Sequence, residues 1–326
     1  MNKKIAYGVF LAALLAAPYV MYPVLLMKLL CFALFACAFN LLLGFTGLLS
    51  FGHAAFFGAA GYMTGYAIQT LELPFELSIV LGVAAAALIG LVMGLLAVRR
   101  QGIYFTMITL ALAQMFYFVC VQTPQTHGED GMQGVARGKL LGMLDLSNDL
   151  AMYYVVLALA VGGFALIARV VHSPFGQVLK AIKENEPRAI SLGYDVDKYK
   201  LMAFILSAAL AGLAGATKTT ALGLASLTDV EWTMSGLVVL MTLVGGLGTL
   251  VGPIVGAVLV IGLENRLGDI GEALANGTGV EWFRTLGDSV SIVIGFIFVV
   301  CVLLFRRGIV GEALAWFGKR AAGKAA

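Results

Sequence analysis

The sequence predicts an all-α integral membrane protein with about ten transmembrane helices, and two observations lead to that fold class. Of the 326 residues, 61% are hydrophobic and only 12% are charged, with a mean hydropathy of +0.97. Soluble domains are far less apolar, because the core of so short a chain cannot absorb this much apolar surface. The apolar residues also fall in runs of about 20, the length that a helix needs to cross a hydrocarbon core.

Ten such runs follow one another, and only the ninth is short. They are Ile5 to Val20, Val24 to Leu43, Leu48 to Gln69, Leu77 to Val98, Ile103 to Val121, Ala151 to Val171, Leu201 to Ala221, Met234 to Leu250, Ile254 to Glu264 and Asp288 to Phe305. Lys3 and Lys4 precede the first run as in a secretory signal. No A-x-A cleavage site occurs before Pro18, however, so we expect a retained helix. The chain is interpreted as one transmembrane domain, residues 1–326.

The positions of Lys and Arg predict which loops face the cytoplasm, because positively charged loops tend to stay inside. If the ten spans alternate, most of the 21 basic residues fall on one side of the membrane. Both termini then lie in the cytoplasm, together with the loop at 172–200 and the tail at 306–326, while the loop at 122–150 faces outside. The net charge of +3 reflects this orientation and indicates no nucleic-acid partner.

Two segments interrupted by glycine occupy the third helix of each predicted half. They read LLSFGHAAFFGAAGYMTG from Leu48 and SGLVVLMTLVGGLGTLVGP from Ser235. Paired broken helices often flank a transport pathway, and five helices per half would make the second half an inverted copy of the first. A 5+5 inverted repeat is therefore our hypothesis. The pathway candidates taken from these segments are Ser50, Phe51, His53, Phe57, Met241 and Thr242.

Few residues within the spans carry chemistry. Lys28 and Lys218 lie near the predicted outer ends of their spans, so snorkelling to water is favoured over a functional role. His53, His127 and His172 are scattered through the topology and predict neither a catalytic nor a metal site. We therefore expect a chain that is not an enzyme and holds no cofactor of its own.

The external loop at 122–150 includes QTPQTHGEDGMQG, which is rich in turn formers and acidic residues. A solvated loop is one interpretation. A docking surface for a soluble delivery protein is the other, and the excess of acidic over basic residues on this side, including Glu129 and Asp130, favours it. Positive-inside bias does not require that excess, because Asp and Glu contribute little to topology.

The loop at 172–200 contains SPFGQVLKAIKENEPRAISLGYD, which has the start and stop signals of two short helices. Ser173 is a suitable cap before Pro174, and this helix should end near Lys183. Asn185 or Glu186 should cap the second helix, and Gly193 suits a left-handed end. Two amphipathic helices in such a loop either lie on the bilayer or insert apolar side chains into a partner's groove.

Motifs along nearly the whole chain resemble the LivM-type permeases of bacterial ABC importers for branched-chain amino acids. These motifs are SPFGQ and KAIKENEPRAISLGYD in the loop, FNLLLGFTGLLSFGHAAFFGAAGYMTG from Phe39, RRQGIYFTMITLALAQM from Arg99, THGEDGMQGV from Thr126 and VVLMTLVGGLGTLVGPIVGA from Val238. The loop resembles the EAA coupling loop of such importers. It departs from the usual EAA pattern at Asn185 and Pro187, where alanines are common.

The resemblance implies a permease subunit in the bacterial inner membrane, paired with a second, LivH-like permease. Two cytoplasmic ATPases of the LivG and LivF kind would bind ATP and Mg, and a periplasmic binding protein would deliver the amino acid. The loop helices would be coupling helices that contact the ATPases. The contact residues expected from the resemblance are Glu184, Asn185, Glu186, Pro187, Arg188, Leu192 and Gly193.

Two other functions stay open. A urea or short-amide permease of the same superfamily would share these motifs and differ in its substrate. A stand-alone secondary carrier or channel would need no ATPase, but the lack of acidic residues at the span centres and the structured loop disfavour it.

Overall fold

The computed structural model describes residues 12–140, 142, 144–278, 290–304 and 308–312, and this part of the chain is mostly helical. The helices are α1 (Pro23–Thr46), α2 (His53–Gln69), α3 (Phe75–Ala97), α4 (Ile103–Gln122), α5 (Asp149–His172), α6 (Pro174–Glu184), α7 (Glu186–Ser191), α8 (Val196–Leu222), α9 (Trp232–Gly245), α10 (Gly252–Thr278) and α11 (Val290–Leu304). Residues 12–16 are also helical and run into a 3-10 turn at Ala17–Tyr19, and residues 308–312 form a final helical turn.

Four two-residue strands lie in the connections between helices. Strand β1 (Met132–Gln133) pairs antiparallel with β4 (Leu224–Ala225), placing Met132 opposite Ala225. Strands β2 (Lys139–Leu140) and β3 (Leu144–Asp145) form a small hairpin within the loop at 122–150. Short 3-10 turns at Pro124–Thr126, Gly128–Asp130 and Leu227–Asp229 complete this end of the molecule.

The helices agree with the predicted spans except at four places. The eighth span was predicted to reach Leu250, but α9 ends at Gly245, because Gly246 at φ 125° leaves the helical conformation. The third span was predicted from Leu48, but α2 begins at His53. The ninth span was predicted to be short, ending at Glu264, yet α10 continues to Thr278, because residues such as Glu264 and Arg266 are compatible with a helix. The seventh was predicted from Leu201, whereas α8 begins at Val196 behind an Asp195 cap. Residues 1–11, 141, 143, 279–289, 305–307 and 313–326 lie outside the described part, and with them the start of the first span and most of the predicted tail.

Five of the described helices are long and apolar enough to cross a membrane. They are α1, α3, α4, α5 and α8. In α1, 78% of the most apolar 18-residue stretch is buried inside the protein, whereas in α4 the corresponding share is only 22%. Helix α1 therefore lies at the centre of the bundle and α4 at its edge. Helix α1 contacts α5, α8, α9 and α10, while α2 and α3 pack against α8.

The outer surfaces of α3 and α4 are apolar. Leu88 and Val92 on α3 and Met107 and Phe118 on α4 are each more than half exposed. A water-soluble protein rarely exposes a continuous apolar surface of this kind. These surfaces therefore suit lipid or another membrane subunit.

Candidate functional site

Residues 48–52, here called the first break, lie between Gly47, which caps α1, and the start of α2. Their backbone groups need partners outside a helix, because unpaired N–H and C=O groups are costly away from water. Two hydroxyls on α4 provide partners. Thr106 Oγ1 donates to the Leu49 carbonyl at 2.9 Å, and Thr109 Oγ1 accepts from the Phe51 N–H at 3.2 Å. The first break is therefore held against α4.

Helix α9 holds the same break through the buried hydroxyl of Ser235. It donates to the Phe51 carbonyl at 2.8 Å and accepts from the Ala54 N–H at 2.9 Å. The Ala54 N–H is among the first N–H groups of α2, which have no partner within the helix. One hydroxyl therefore links the unwound backbone to both the start of α2 and α9.

His53 is fully buried at the start of α2 and joins it to α8 and α1. Its Nε2 lies 2.9 Å from Ser207 Oγ on α8, and Ser207 Oγ donates to the Ala38 carbonyl on α1 at 2.6 Å. Because this bond uses the only hydroxyl hydrogen of Ser207, His53 must donate from Nε2, a tautomer assigned from the network. The rings of Phe39 and Phe204 contact the imidazole edge to face. His53 thus connects three helices.

The structure brings some of the pathway candidates together and separates others. Ser50 and Phe51 lie in the first break and His53 begins α2 directly after it, and Ser50 Oγ accepts from the Gly52 N–H at 3.1 Å. Phe57 packs against the Phe35 ring of α1 with centroids 4.5 Å apart. Met241 and Thr242 lie in α9 near α10, and Thr242 Oγ1 donates to the carbonyl of Val238 in its own helix at 2.7 Å. Their role in a pathway stays a prediction.

A second break, residues 246–251, separates α9 from α10, within the other segment that the sequence marked by its glycines. The buried amide of Asn40 on α1 holds it with two hydrogen bonds. Asn40 Nδ2 donates to the Thr249 carbonyl at 2.8 Å, and Asn40 Oδ1 accepts from the Gly248 N–H at 3.0 Å. Gly246 and Gly248 have φ angles of 125° and 71°, which favour glycine. Asn40 therefore provides hydrogen-bond partners for the backbone of the second break, as the hydroxyl side chains do for the first break.

Helices α6 and α7 begin at the capping residues that the sequence indicated. Ser173 Oγ accepts from the Gly176 N–H at 3.3 Å, and Asn185 Oδ1 accepts from the Arg188 N–H at 3.1 Å. Gly193, at φ 88°, follows α7 in the left-handed conformation. Each cap satisfies a backbone donor that a helix start would leave unpaired. The segment is thus ordered by local chemistry.

One edge of this segment is apolar and exposed. Leu192 is 69% exposed and Ile190 is 57% exposed, whereas Leu179 and Ile182 of α6 and Ala189 of α7 are buried against the bundle. The neighbouring residues Glu184, Asn185, Pro187, Arg188 and Gly193 are exposed as well. We call this edge the α7 edge, defined by Ile190 and Leu192.

Glu186 differs from the other predicted contact residues because its carboxylate has a partner within the chain. Its Oε1 lies 2.7 Å from Lys200 Nζ on α8, and the Lys200 side chain is only 3% exposed. This ion pair positions α7 against α8. Nearby, the Lys198 ammonium and backbone N–H donate to the Asp195 carboxylate at the start of α8 and lower the pKa of that carboxyl below its usual value.

The predicted snorkelling of Lys218 is wrong. Lys218 Nζ lies 2.6 Å from Asp229 Oδ2, and both side chains are only 7% exposed, so the ammonium is buried with its counterion. Lys28 is half-buried, 3.5 Å from Glu264 on α10. For Lys218, an acidic partner 11 positions along the chain compensates the buried ammonium. Snorkelling of the partly exposed Lys28 stays a prediction.

The predicted external loop is ordered and tied to the bundle. Arg137 Nη1 lies 2.6 Å from Asp149 Oδ1 at the start of α5, and Arg137 Nη2 donates to the Ala221 carbonyl at the end of α8 at 3.0 Å. Glu129 and Asp130 are exposed. This loop therefore presents acidic side chains on a supported backbone, and docking of a soluble protein stays a prediction.

A cavity of about 460 Å³ lies where α2, α3 and α4 meet the 3-10 turn that follows α4. Its walls are mostly apolar and aromatic, including Tyr62, Tyr66, Ile89 and Phe116. None of the six pathway candidates lines it.

Several site residues were missing from the sequence prediction. Asn40 is the only amide in a long apolar run, and that signal could have identified it, since polar side chains inside membrane helices are expensive. Thr106, Thr109, Ser207 and Ser235 had no such signal, because hydroxyl residues are common in membrane helices and bond their own backbone.

The apolar helices, their buried polar contacts and the apolar outer surface define a multi-pass membrane protein. The chain belongs to the family described as branched-chain amino acid transport system / permease component, whose profile matches residues 21–302. Family membership covers both breaks and the segment of α6 and α7.

Individual relatives agree with this family. The chain is 25% identical to the high-affinity branched-chain amino acid transport system permease protein LivM of Salmonella typhimurium, over 72% of this chain and 60% of that protein. It is also 25% identical to LivM of Escherichia coli over the same shares. The probable branched-chain amino acid transport permease protein LivH of Methanocaldococcus jannaschii is 31% identical over 48% of this chain and 46% of that protein. The chain thus spans about six-tenths of the length of the LivM relatives.

Proposed function

We propose that this chain is the transmembrane permease subunit of an ATP-driven importer for branched-chain amino acids. Family membership supports the transport class and the similarity to LivM supports the substrate class. The observation that carries the coupling to ATPases is the α7 edge. It exposes Ile190 and Leu192 on two capped helices that are anchored to the bundle, as a partner groove would require.

In this proposal the chain lies in the bacterial inner membrane with about ten transmembrane helices in a 5+5 inverted repeat and both termini in the cytoplasm. A LivH-like permease is its membrane partner and completes the translocation pathway. Two LivG- and LivF-like ATPases, which bind ATP and Mg, contact α6 and α7. A periplasmic binding protein docks on the loop at 122–150.

Transport then follows if the helix bundle has two states, one open to the outside and one to the inside, and the partners bind these two states with different affinities. Closure of the ATPase dimer displaces α6 and α7 and shifts the membrane halves from outward to inward access. The two breaks are where this chain deforms most easily, since hydroxyl and amide side chains replace helical hydrogen bonds there. The chain itself catalyses no reaction.

The test is reconstitution of the chain with its copurified partners in liposomes. We expect ATP-dependent uptake of leucine, isoleucine or valine when the binding protein is present. Uptake of urea or a short amide instead would identify the alternative permease of the same superfamily. Uptake that persists without any ATPase subunit would indicate a stand-alone carrier and contradict the proposal.

Leu192→Asp should reduce substrate-stimulated ATP hydrolysis and uptake by about tenfold or more, because it places a charge in an apolar contact. The side chain is 69% exposed, so the fold should be unaffected. Leu71→Asp is the matched control, since Leu71 is 48% exposed in the turn after α2, outside both the α7 edge and the loop at 122–150. Equal activity of the Leu192→Asp protein and wild type would remove the α7 edge from the ATPase contact.

The pathway proposal is tested by single cysteines at Ser50 and Met241 in a chain whose Cys31, Cys120 and Cys301 are replaced. We expect their modification by a small thiol reagent to change when ATP analogues bind the complex. Buried Cys37 is the reference that should stay unreactive. Reactivity that is the same in both nucleotide states would exclude these positions from the pathway.

A further inference from the structure

Lys183, the penultimate residue of α6, contacts the end of α1. Its Nζ donates to the Gly44 carbonyl at 2.6 Å, and its Cγ lies 3.2 Å from where a Cβ on Gly47 would be. Gly44 belongs to the last turn of α1, where carbonyls have no partner within the helix. A lysine at this position is therefore a cap supplied by another segment.

The same turn of α1 contacts the second break. A Cβ on Gly44 would lie 2.8 Å from the Gly248 nitrogen, and a Cβ on Gly248 would lie 3.3 Å from the Gly44 carbonyl oxygen. That carbonyl is the one that accepts from Lys183. One turn earlier, Asn40 holds Gly248 and Thr249 with its two hydrogen bonds. The end of α1 thus lies between α6 and the second break.

The second break continues directly into α10. Thr249 Oγ1 donates to the Gly246 carbonyl at 2.8 Å and accepts at 3.0 Å from the N–H of Gly252, the first residue of α10. Gly308 lies against Gly246 from the turn after α11. Every step from α6 to α10 is therefore a hydrogen bond or a backbone contact, and together these contacts form one contiguous physical network.

We propose that Lys183 and Asn40 are positioning residues that transmit a displacement of α6 through the end of α1 to the second break and the start of α10. The inference rests on the proposed function, in which ATPases move α6 and α7. It assigns the transmission to two side chains that do not belong to the α7 edge. Lys183 couples α6 to α1, and Asn40 couples α1 to the break.

The test compares Lys183→Met and Asn40→Asp with wild type in proteoliposomes containing the complete complex. Leucine uptake per ATP hydrolysed should fall about three- to tenfold while the complex still hydrolyses ATP. Lys183→Met keeps the aliphatic chain and loses the donor to Gly44. Asn40→Asp keeps the acceptor for Gly248 and loses the donor to Thr249. The double variant should lose less than the sum of the two effects, because both act on one connection.

Controls separate transmission from stability. Lys183→Arg should restore the uptake-to-ATP ratio, since a guanidinium also donates to the Gly44 carbonyl. Lys198→Met, whose ammonium pairs with Asp195 near the same surface, should leave the ratio unchanged. A merely structural role would lower uptake and ATP hydrolysis together and leave their ratio unchanged. An unchanged ratio in both Lys183→Met and Asn40→Asp would therefore overturn this inference but not the proposed function. A wild-type complex without ATP-driven uptake would instead overturn the proposed function.

Discussion

Gly256→Ala is expected to destabilise the protein by about 3 kcal/mol, the upper end for an overpacked core, and to reduce recovery of folded chain strongly. A Cβ on Gly256 would collide with the Met241 carbonyl of α9 and would lie 3.0 Å from the Gly245 nitrogen. These obstacles are backbone atoms, so no rotamer change relieves them. Helices α9 and α10 would have to separate, and the second break lies at their junction.

Gly262→Ala in the same helix is the matched control, because nothing lies within 4 Å of a Cβ at that position. Alanine also has a higher helix propensity than glycine, so stability should stay equal or rise by up to ~1 kcal/mol. Thermal unfolding in detergent, followed by the monodisperse fraction in size-exclusion chromatography, measures both variants. Equal behaviour of the two variants would show that α9 and α10 do not pack as described.

Lys218→Met is expected to cost about 3–5 kcal/mol, because it leaves the Asp229 carboxylate buried without its counterion. Asp229 Oδ2 accepts from Lys218 at 2.6 Å and also from the Ser226 N–H at 3.1 Å. The carboxylate therefore joins α8 to the turn at Leu227–Asp229. Without the Lys218 ammonium, the unpaired Asp229 carboxylate should destabilise that turn and the adjoining pairing of β1 with β4.

The double variant Lys218→Met/Asp229→Asn should lose less free energy of unfolding than the sum of the losses of the two single variants. The amide oxygen can still accept from Ser226, and no unpaired charge remains. Unfolding by denaturant in mixed micelles gives the three free energies for this cycle. Lys28→Met is the comparison, since that pair is half-exposed at 3.5 Å and should cost about 1 kcal/mol or less. Additive effects at Lys218 and Asp229 would contradict a direct ion pair.

Features set by neighbours along the chain were predicted well. The caps at Ser173 and Asn185 and the left-handed Gly193 follow from residues three or four positions apart, and the structure has them. Apolar runs predicted the positions of α1, α3, α4 and α5 to within three residues, because lipid requires an uninterrupted apolar helix. The glycines also marked both breaks, though not where each one starts.

Features set by distant residues were missed or misread. Lys218 was assigned to water because Asp229 follows it only after α8 ends, and nothing local shows that the chain folds back. The acid partner of Lys28 is 236 positions away. Glu186 was assigned to a partner surface, and that assignment stays a prediction, but its ion pair with Lys200 within the chain was missed. Charge alone does not reveal a partner, because an ion pair depends on geometry across helices.

By itself the sequence determined the membrane class, the helices, the two breaks and the capped pair α6 and α7, because hydrophobic length, glycine and capping act over a few residues. Only the tertiary structure decided which groups satisfy the breaks. Ser235 reaches Ala54 across 181 positions and Asn40 reaches Gly248 across 208. A buried backbone group accepts any suitable donor or acceptor within about 3 Å, and folding selects which one arrives there.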